Sequence, residues 1–208
     1  MKERPINERF LSIEKKMNSA KTLLDLGKAN ELNFFIFDYD PKEELLVREE
    51  TKKLKRMNPN IQEFDLFDIV VNLLKDAGYL ETAEQYELDP EYTSDLLLSQ
   101  MFQPFLALSE DDSPVLNVFK SEVKDDGEHI VLITGVGKAY PLIRSHTVLN
   151  RLQSIVMNDP VVMFYPGRYD QKSAMCLKLF DRLGDDNYYR AFPLEERFSE
   201  KGGNGCVD

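Results

Sequence analysis

Asn33-Phe34-Phe35-Ile36-Phe37-Asp38-Tyr39-Asp40-Pro41-Lys42-Glu43 is the stretch that decides the fold class. Its first five residues hold an unbroken apolar run, the pattern of a strand buried on both faces, which is typical of parallel sheets covered by helices on each side. The next residues reverse the chemistry. Asp40 is an N-cap, Pro41 suits the first helical position and Glu43 completes a capping box, so a helix is expected immediately after the strand. A buried strand passing into a helix within a few residues is the start of a β-α-β unit.

Outward from this segment the alternation continues. Upstream, Phe10, Ile13, Met17, Ala20 and Leu24 recur at helical spacing, with Gly27 placed to stop one long helix. Downstream, a short strand is expected at 61–64, then a helix capped by Asp65 and Asp68 that carries Ile69, Val70, Leu73 and Leu74 to Gly78. Residues 79–108 read as helix in two pieces divided at Asp89-Pro90, with Pro104 kinking or ending the second. An acidic loop at 109–113, expected on the solvated surface, precedes a helix opened by Pro114. Further strands are expected at 129–134, 161–165 and 188–192, the first two joined by a crossover helix at about 142–157, with Asp159-Pro160 turning into the second. The order predicts an α/β fold. One domain over residues 1–196 would hold a mostly parallel sheet of about five strands flanked by helices, like a P-loop NTPase scaffold without its phosphate loop. Residues 197–208 would form a flexible tail.

Composition limits the function. The 208 residues carry a formal net charge of -11, with 42% hydrophobic and 30% charged residues, the balance of an ordinary folded protein. No apolar run approaches the ~20 residues of a membrane span, and Met1-Lys2-Glu3-Arg4-Pro5 begins no apolar signal core, so a cytoplasmic location is expected. Two cysteines, Cys176 and Cys206, and two histidines, His129 and His146, are too few for a disulfide framework or a structural zinc site, and no metal or cofactor is expected. The negative field repels phosphate backbones. The basic run Lys52-Lys53-Leu54-Lys55-Arg56 sits where a helix should end and offsets its dipole, so strong intrinsic nucleic-acid binding is not expected.

Function in parallel sheets gathers at the carboxyl ends of the strands. Three junctions are polar: Asp38-Tyr39-Asp40, Thr134-Gly135-Val136-Gly137-Lys138 and Pro166-Gly167-Arg168-Tyr169. The second lacks the spacing of a phosphate loop, and Ala139 stands where a Ser or Thr would meet magnesium; a tight structural turn is the reading it supports. Asp38 and Asp40 followed by Thr134, Lys138, Asp185 and Asp186 offer an alternative, a phosphoryl-transfer enzyme of haloacid-dehalogenase type with an aspartate nucleophile. Against it, Asp40 is already used as a cap and Pro41 stiffens the place of a small residue. Neither histidine belongs to a nucleophile motif, Met175-Cys176-Leu177 reads as a buried thiol, and no catalytic residue is assigned.

The most distinctive run is Val161-Val162-Met163-Phe164-Tyr165-Pro166-Gly167-Arg168-Tyr169, followed by Leu177-Lys178-Leu179-Phe180-Asp181-Arg182-Leu183 and Asp185-Asp186-Asn187-Tyr188-Tyr189-Arg190-Ala191-Phe192. Together with Ile133-Thr134-Gly135-Val136-Gly137, Ile143-Arg144-Ser145-His146 and Phe37-Asp38-Tyr39-Asp40-Pro41, it closely resembles the BrxB family over roughly residues 7–194. The resemblance implies a place in a BREX bacteriophage-exclusion system. There it implies a non-catalytic adaptor that binds the phosphatase-superfamily protein PglZ, with the BREX ATPase and methyltransferase as possible further partners. Candidate partner residues are Tyr188, Tyr189, Arg190 and Phe192, a strand of types enriched at interface hot spots, together with Arg168, Arg144, Lys138, Asp38 and Asp40 of the strand-end junctions. An edge strand packing Tyr189 and Ala191 inward is the competing reading. Arg144, Arg168 and Lys138, if gathered at the carboxyl edge, would pair with Asp38 and Asp40 and brace it.

Overall fold

The apolar run forms β1 (Phe34–Tyr39), buried at all six positions. A computed structural model of the chain describes residues 4–28, 33–86, 93–169, 177–185 and 191–195. The other strands are β2 (Ile61–Asp65), β3 (Ile130–Thr134), β4 (Val161–Tyr169), β5 (Leu177–Leu179), β6 (Leu183–Asp185) and β7 (Phe192–Pro193). The sheet runs β2-β3-β4-β1-β7 with every neighbouring pair parallel; β5 and β6 add an antiparallel ribbon to the far end of β4. The architecture is therefore α/β with a mostly parallel sheet, as the sequence predicts.

Helices cover both faces. Period-2 alternation sends Phe35, Phe37, Tyr39, Leu132, Val162 and Phe164 to one face, and Phe34, Ile36, Val131, Ile133, Met163 and Tyr165 to the other. The first face packs on α1 (Ile6–Lys16), α2 (Ala20–Lys28) and α3 (Glu44–Met57). The Phe10 ring of α1 meets Phe37 edge-on at 5.2 Å and Phe164 at 5.7 Å, which seats that helix over β1 and β4. The second face packs on α4 (Leu66–Asp76) and on the helices that follow it. These are α5 (Tyr79–Tyr86), α7 (Gln103–Leu106), α8 (Pro114–Glu122), α9 (Val136–Ala139) and α10 (Ser145–Leu152), with the short α6 (Ser94–Leu97) between α5 and α7 in the chain.

Several boundaries differ from expectation for identifiable reasons. The predicted first helix is two: the buried Asn58 donates from Nδ2 to the Met17 and Asn18 carbonyls at 2.8 and 3.1 Å, and the Ser19 hydroxyl accepts from Thr22 N–H at 3.3 Å. One helix is capped at its end and the next at its start. The break shifts the phase, so Leu23 takes the core position, Leu24 is only partly buried, and Gly27 lies inside α2. Pro104 does not stop its helix; a π turn (Leu98–Phe102) precedes it, a device that accommodates interruptions of the regular ladder. Ser113 of the acidic loop is fully buried, its hydroxyl donating to the Leu106 carbonyl at 2.7 Å.

The crossover helix is shorter than expected. Arg144 has extended dihedrals that delay its start, and Val156 turns back into the core after it. The expected division at Asp89-Pro90 and the tail after residue 196 lie outside the described residues.

The Pro166-Gly167-Arg168-Tyr169 junction is not a junction. β4 continues through it: β1 pairs with it as far as Pro166 and β5 takes over from Gly167 to Tyr169, while β3 pairs with it only as far as Met163 and so needs no N–H from Pro166. Among the described residues no helix is long and apolar enough to cross a membrane.

Candidate functional site

Because the five strands are parallel, Asp38, Asp65, Thr134 and Tyr165 all fall at one edge, and the residues that follow them form its surface. The first of these is not available to solvent. Asp38 is 7% exposed; its carbonyl accepts from Arg9 Nη2 at 2.6 Å, its Oδ1 lies 3.5 Å from that group, and its Oδ2 accepts the Tyr169 N–H at 2.9 Å. Arg9 in turn donates through Nε to Glu195 Oε2 at 2.6 Å. All three ionic side chains are buried, tying α1, the end of β1 and the segment after β7 together. Asp40 does what the sequence assigns to it: its Oδ1 accepts from Lys42 N–H at 2.9 Å and caps the turn that leads into α3.

The second centre is the end of β2. Asp65 caps α4, its Oδ1 accepting from Phe67 N–H and Asp68 N–H at 3.0 and 3.3 Å, while Oδ2 accepts from Lys138 Nζ at 2.7 Å. Gly135 adopts φ +71, and a Cβ there would lie 2.0 Å from Asp65 Oδ1. The turn after β3 is thus filled by the protein's own carboxylate. Thr134 donates to Glu63 at 2.8 Å, and Lys55 reaches the other oxygen of the same carboxylate. Thr134 and Lys138 therefore converge on Glu63 and Asp65 of β2, across β3 and β4 from Asp38. Thr134 and Lys138 of the constellation that suggested phosphoryl transfer are thus not gathered around the buried Asp38, and the Asp185 side chain and Asp186 lie outside the described residues.

A cleft of about 610 Å³ opens beside this centre, between α3 and α4. Six carboxylates line it, Glu44, Glu63, Asp65, Asp68, Asp76 and Glu122, against two cations, Arg48 and Lys52. This balance disfavours a phosphate ligand. At its floor the Tyr39 hydroxyl donates to Glu44, which also accepts from Arg48 at 2.8 Å. Burial first, then the Glu44 carboxylate, pushes the Tyr39 phenol above its ordinary value of 10.0. The unfolded chain therefore ionises first on the alkaline side, and stability present below about pH 10 must fall as pH rises beyond it. Phenolate absorbance at 295 nm from Tyr39 should rise only together with unfolding, and Tyr39→Phe should flatten the alkaline fall in stability; an unchanged slope would remove Tyr39 as its source.

The third centre is the ribbon. A Cβ on Gly167 would lie 2.0 Å from the Lys178 carbonyl oxygen, so only glycine lets β4 and β5 approach as they do. Arg168 pairs with Asp181 at 3.3 Å near the ribbon's turn. Asp40, Pro41, Lys42, Phe180, Asp181, Arg182 and Leu183 line an open groove of about 660 Å³. Arg144 lines a separate hollow with His146, Tyr165 and Arg182.

The expected brace of Asp38 and Asp40 by Lys138, Arg144 and Arg168 is thus replaced: Arg9 meets Asp38, Lys138 meets Asp65, and Arg168 meets Asp181. Phe192 lies in β7 at the sheet's edge and is half-buried against the α1 face, with Ala191 buried. Tyr188, Tyr189 and Arg190 lie outside the described residues. Lys53 and Lys55 of the basic run pair with Glu50 and Glu63. Sequence reasoning passed over Arg9, although it sits three residues after Ile6 and four before Ile13, on the buried stripe of α1. It also passed over Glu195, for which no local signal existed.

A protein-family model described as BREX protein BrxB matches residues 62–194. The chain is similar to a BREX protein BrxB of Bacillus cereus (strain H3081.97), 40% identical over 199 residues covering 93% of this chain and 100% of the relative. It is also similar to a BREX protein BrxB of Escherichia coli O9:H4 (strain HS), 32% identical over 194 residues covering 91% and 92% of the two chains. No solved structure matches it at a significant level.

Proposed function

The chain belongs to the BrxB family of BREX proteins, and from that premise we propose that it is a non-catalytic assembly subunit of a BREX phage-defence complex that docks on a PglZ-type protein. The BREX ATPase and methyltransferase are further candidate partners. The observation that carries the reading is the Gly135 turn. In a nucleotide-binding relative of this architecture the backbone after such a strand would face a phosphate. Here the place is taken by Asp65, whose oxygens are shared between the amides of α4 and Lys138. An anion site already filled by a covalently attached anion has nothing to offer a nucleotide.

The same edge supplies a surface for a protein. Pro41, Phe180 and Leu183 give the groove at the ribbon apolar contact, and Asp40, Lys42, Asp181 and Arg182 surround them with both signs of charge. Leu45 at the start of α3 is 73% exposed and Leu183 is 41% exposed, more than a solvated helix and turn require. An apolar centre with a charged rim is the anatomy of a specific protein interface.

Affinity purification of the chain with PglZ from the same operon tests the proposal. Leu45→Glu combined with Leu183→Glu should weaken the complex at least about tenfold, on the scale of interface hot-spot residues. Met157→Glu, at an exposed position before β4, should leave it intact. Failure of the wild-type chain to co-purify would sink the adaptor reading. Retention of full affinity by the double variant would move the interface elsewhere.

A further inference from the structure

At the opposite, amino-terminal edge of the sheet, we propose that Asp126, His129 and Asp159 form a binding site for a divalent transition-metal cation, Mn²⁺ or Zn²⁺. The segment before β3 and the segment before β4 lie side by side because those strands are parallel neighbours. One ring nitrogen of His129 and one carboxylate oxygen from each aspartate lie within 4.8 Å of one another.

Proximity of acids alone would carry little. What distinguishes this cluster is Asp159, a fully buried carboxylate whose two oxygens are treated unequally. Its Oδ1 accepts the Gly127 and His129 N–H groups at 2.8 and 3.2 Å, whereas its Oδ2 has no hydrogen-bond partner among the described residues. A buried anionic oxygen is normally paired, hydrogen-bonded or bound to a metal, because leaving it bare is costly.

The frame around these ligands is set by the protein itself. Asp125 accepts from the N–H groups of Met157, Asn158 and Asp159 at 3.1, 2.7 and 3.0 Å through its Oδ1, clamping one segment to the other. A metal entering here would find its ligands held in place, with only one of them on the surface to close over it. Two carboxylates and one imidazole leave positions for water. The imidazole favours Mn²⁺ or Zn²⁺ over Ca²⁺ and Mg²⁺, which prefer oxygen alone.

The histidine also identifies a competitor. His129 Nδ1 is 2.7 Å from Asp126 Oδ1, and Nε2 is 2.9 Å from Lys124 Nζ. The ring is thus the tautomer that donates to Asp126 and accepts from the ammonium. Coordination through Nδ1 moves the ring proton to Nε2, where it repels the Lys124 ammonium. Lys124 therefore opposes binding, and a side chain able to accept from Nε2–H favours it.

The full-length chain, stripped with EDTA, is titrated with MnCl₂ and followed by electron paramagnetic resonance and calorimetry. Mn²⁺ is chosen because the thiols of Cys176 and Cys206 bind it poorly. One Mn²⁺ per chain is expected. Asp159→Asn, which keeps the Oδ1 acceptor for both amides, should lose about a hundredfold in affinity, Asp126→Asn at least about tenfold, and Lys124→Gln should bind on the order of tenfold tighter. No Mn²⁺ binding at millimolar concentration overturns the proposal, as does wild-type affinity in both aspartate variants. Should Asp159→Asn fail to fold, Asp126→Asn decides, because its carboxylate is largely exposed and its loss leaves the core intact.

Discussion

Arg9→Ala should lower the unfolding free energy by about 3–5 kcal/mol, the scale for removing one partner of a buried ion pair. Arg9 is 5% exposed and is the cation described between two buried carboxylates, Asp38 and Glu195. Its guanidinium also lies 4.7 Å from the centroid of the Phe37 ring, inside the packing of α1 on the sheet. Alanine would remove the charge, the two short hydrogen bonds and the side chain that fills this space. Most of the cost comes from what remains: the Asp38 and Glu195 carboxylates stay in a low-dielectric interior without the guanidinium that lies between them, although Arg4 still reaches Glu195. Arg9→Met with Glu195→Gln should therefore cost less than the two single changes summed, since each takes away the charge that the other strands. Arg4, which also reaches Glu195 but with its side chain 47% exposed, should cost under about 1 kcal/mol when truncated. Urea unfolding followed by circular dichroism measures all five variants. A loss below about 1 kcal/mol for Arg9→Ala would mean that water screens the network, contrary to its burial.

This network also marks where the sequence stops being legible. β1 was readable because a run of four apolar residues between polar ones has few other meanings, and α4 because Asp65 stands directly before its apolar stripe. Those are local signals. The Arg9–Glu195 pair joins positions 186 residues apart, and the Lys138–Asp65 pair positions 73 apart, so neither pairing leaves a local signal, although Lys138 and Asp65 each stand out within their own segments. β5 and β6 are three residues each, too short for a period to register, and they exist because the β4 extension offers them an edge. Pro166-Gly167 misled for the opposite reason. Its punctuation is usually read as an ending, yet the proline lies beyond the reach of β3 and the glycine is required for a strand to come close. At the carboxyl edge the residue types were legible, but which acid each base would meet depended on strand order, and strand order is not written locally.

The Gly135 turn is where that long-range pairing can be measured. Gly135→Ala should destabilise the fold by about 2–4 kcal/mol through two separable causes. The first is conformational: at φ +71 an L-residue pays about 1–2 kcal/mol for the left-handed region. The second is a collision, since the new Cβ would lie 2.0 Å from Asp65 Oδ1 and 2.7 Å from its Cγ. Asp65 would have to withdraw, giving up the cap of α4 and the Lys138 pair; loss of such a cap costs about 0.5–2 kcal/mol. A double-mutant cycle with Asp65→Ala separates the causes. Asp65→Ala removes the atoms that the Cβ strikes, so the double variant should retain the backbone penalty while losing the collision, and its destabilisation should fall short of the sum by at least about 1 kcal/mol. Gly137→Ala makes the control, because the atoms nearest its Cβ would belong to the Pro166 and Phe180 side chains, at 2.9 and 3.0 Å. Strict additivity of Gly135→Ala and Asp65→Ala would show that the carboxylate does not occupy the turn in solution. It would reopen that turn to an external anion, and with it the nucleotide-binding reading that the adaptor proposal sets aside.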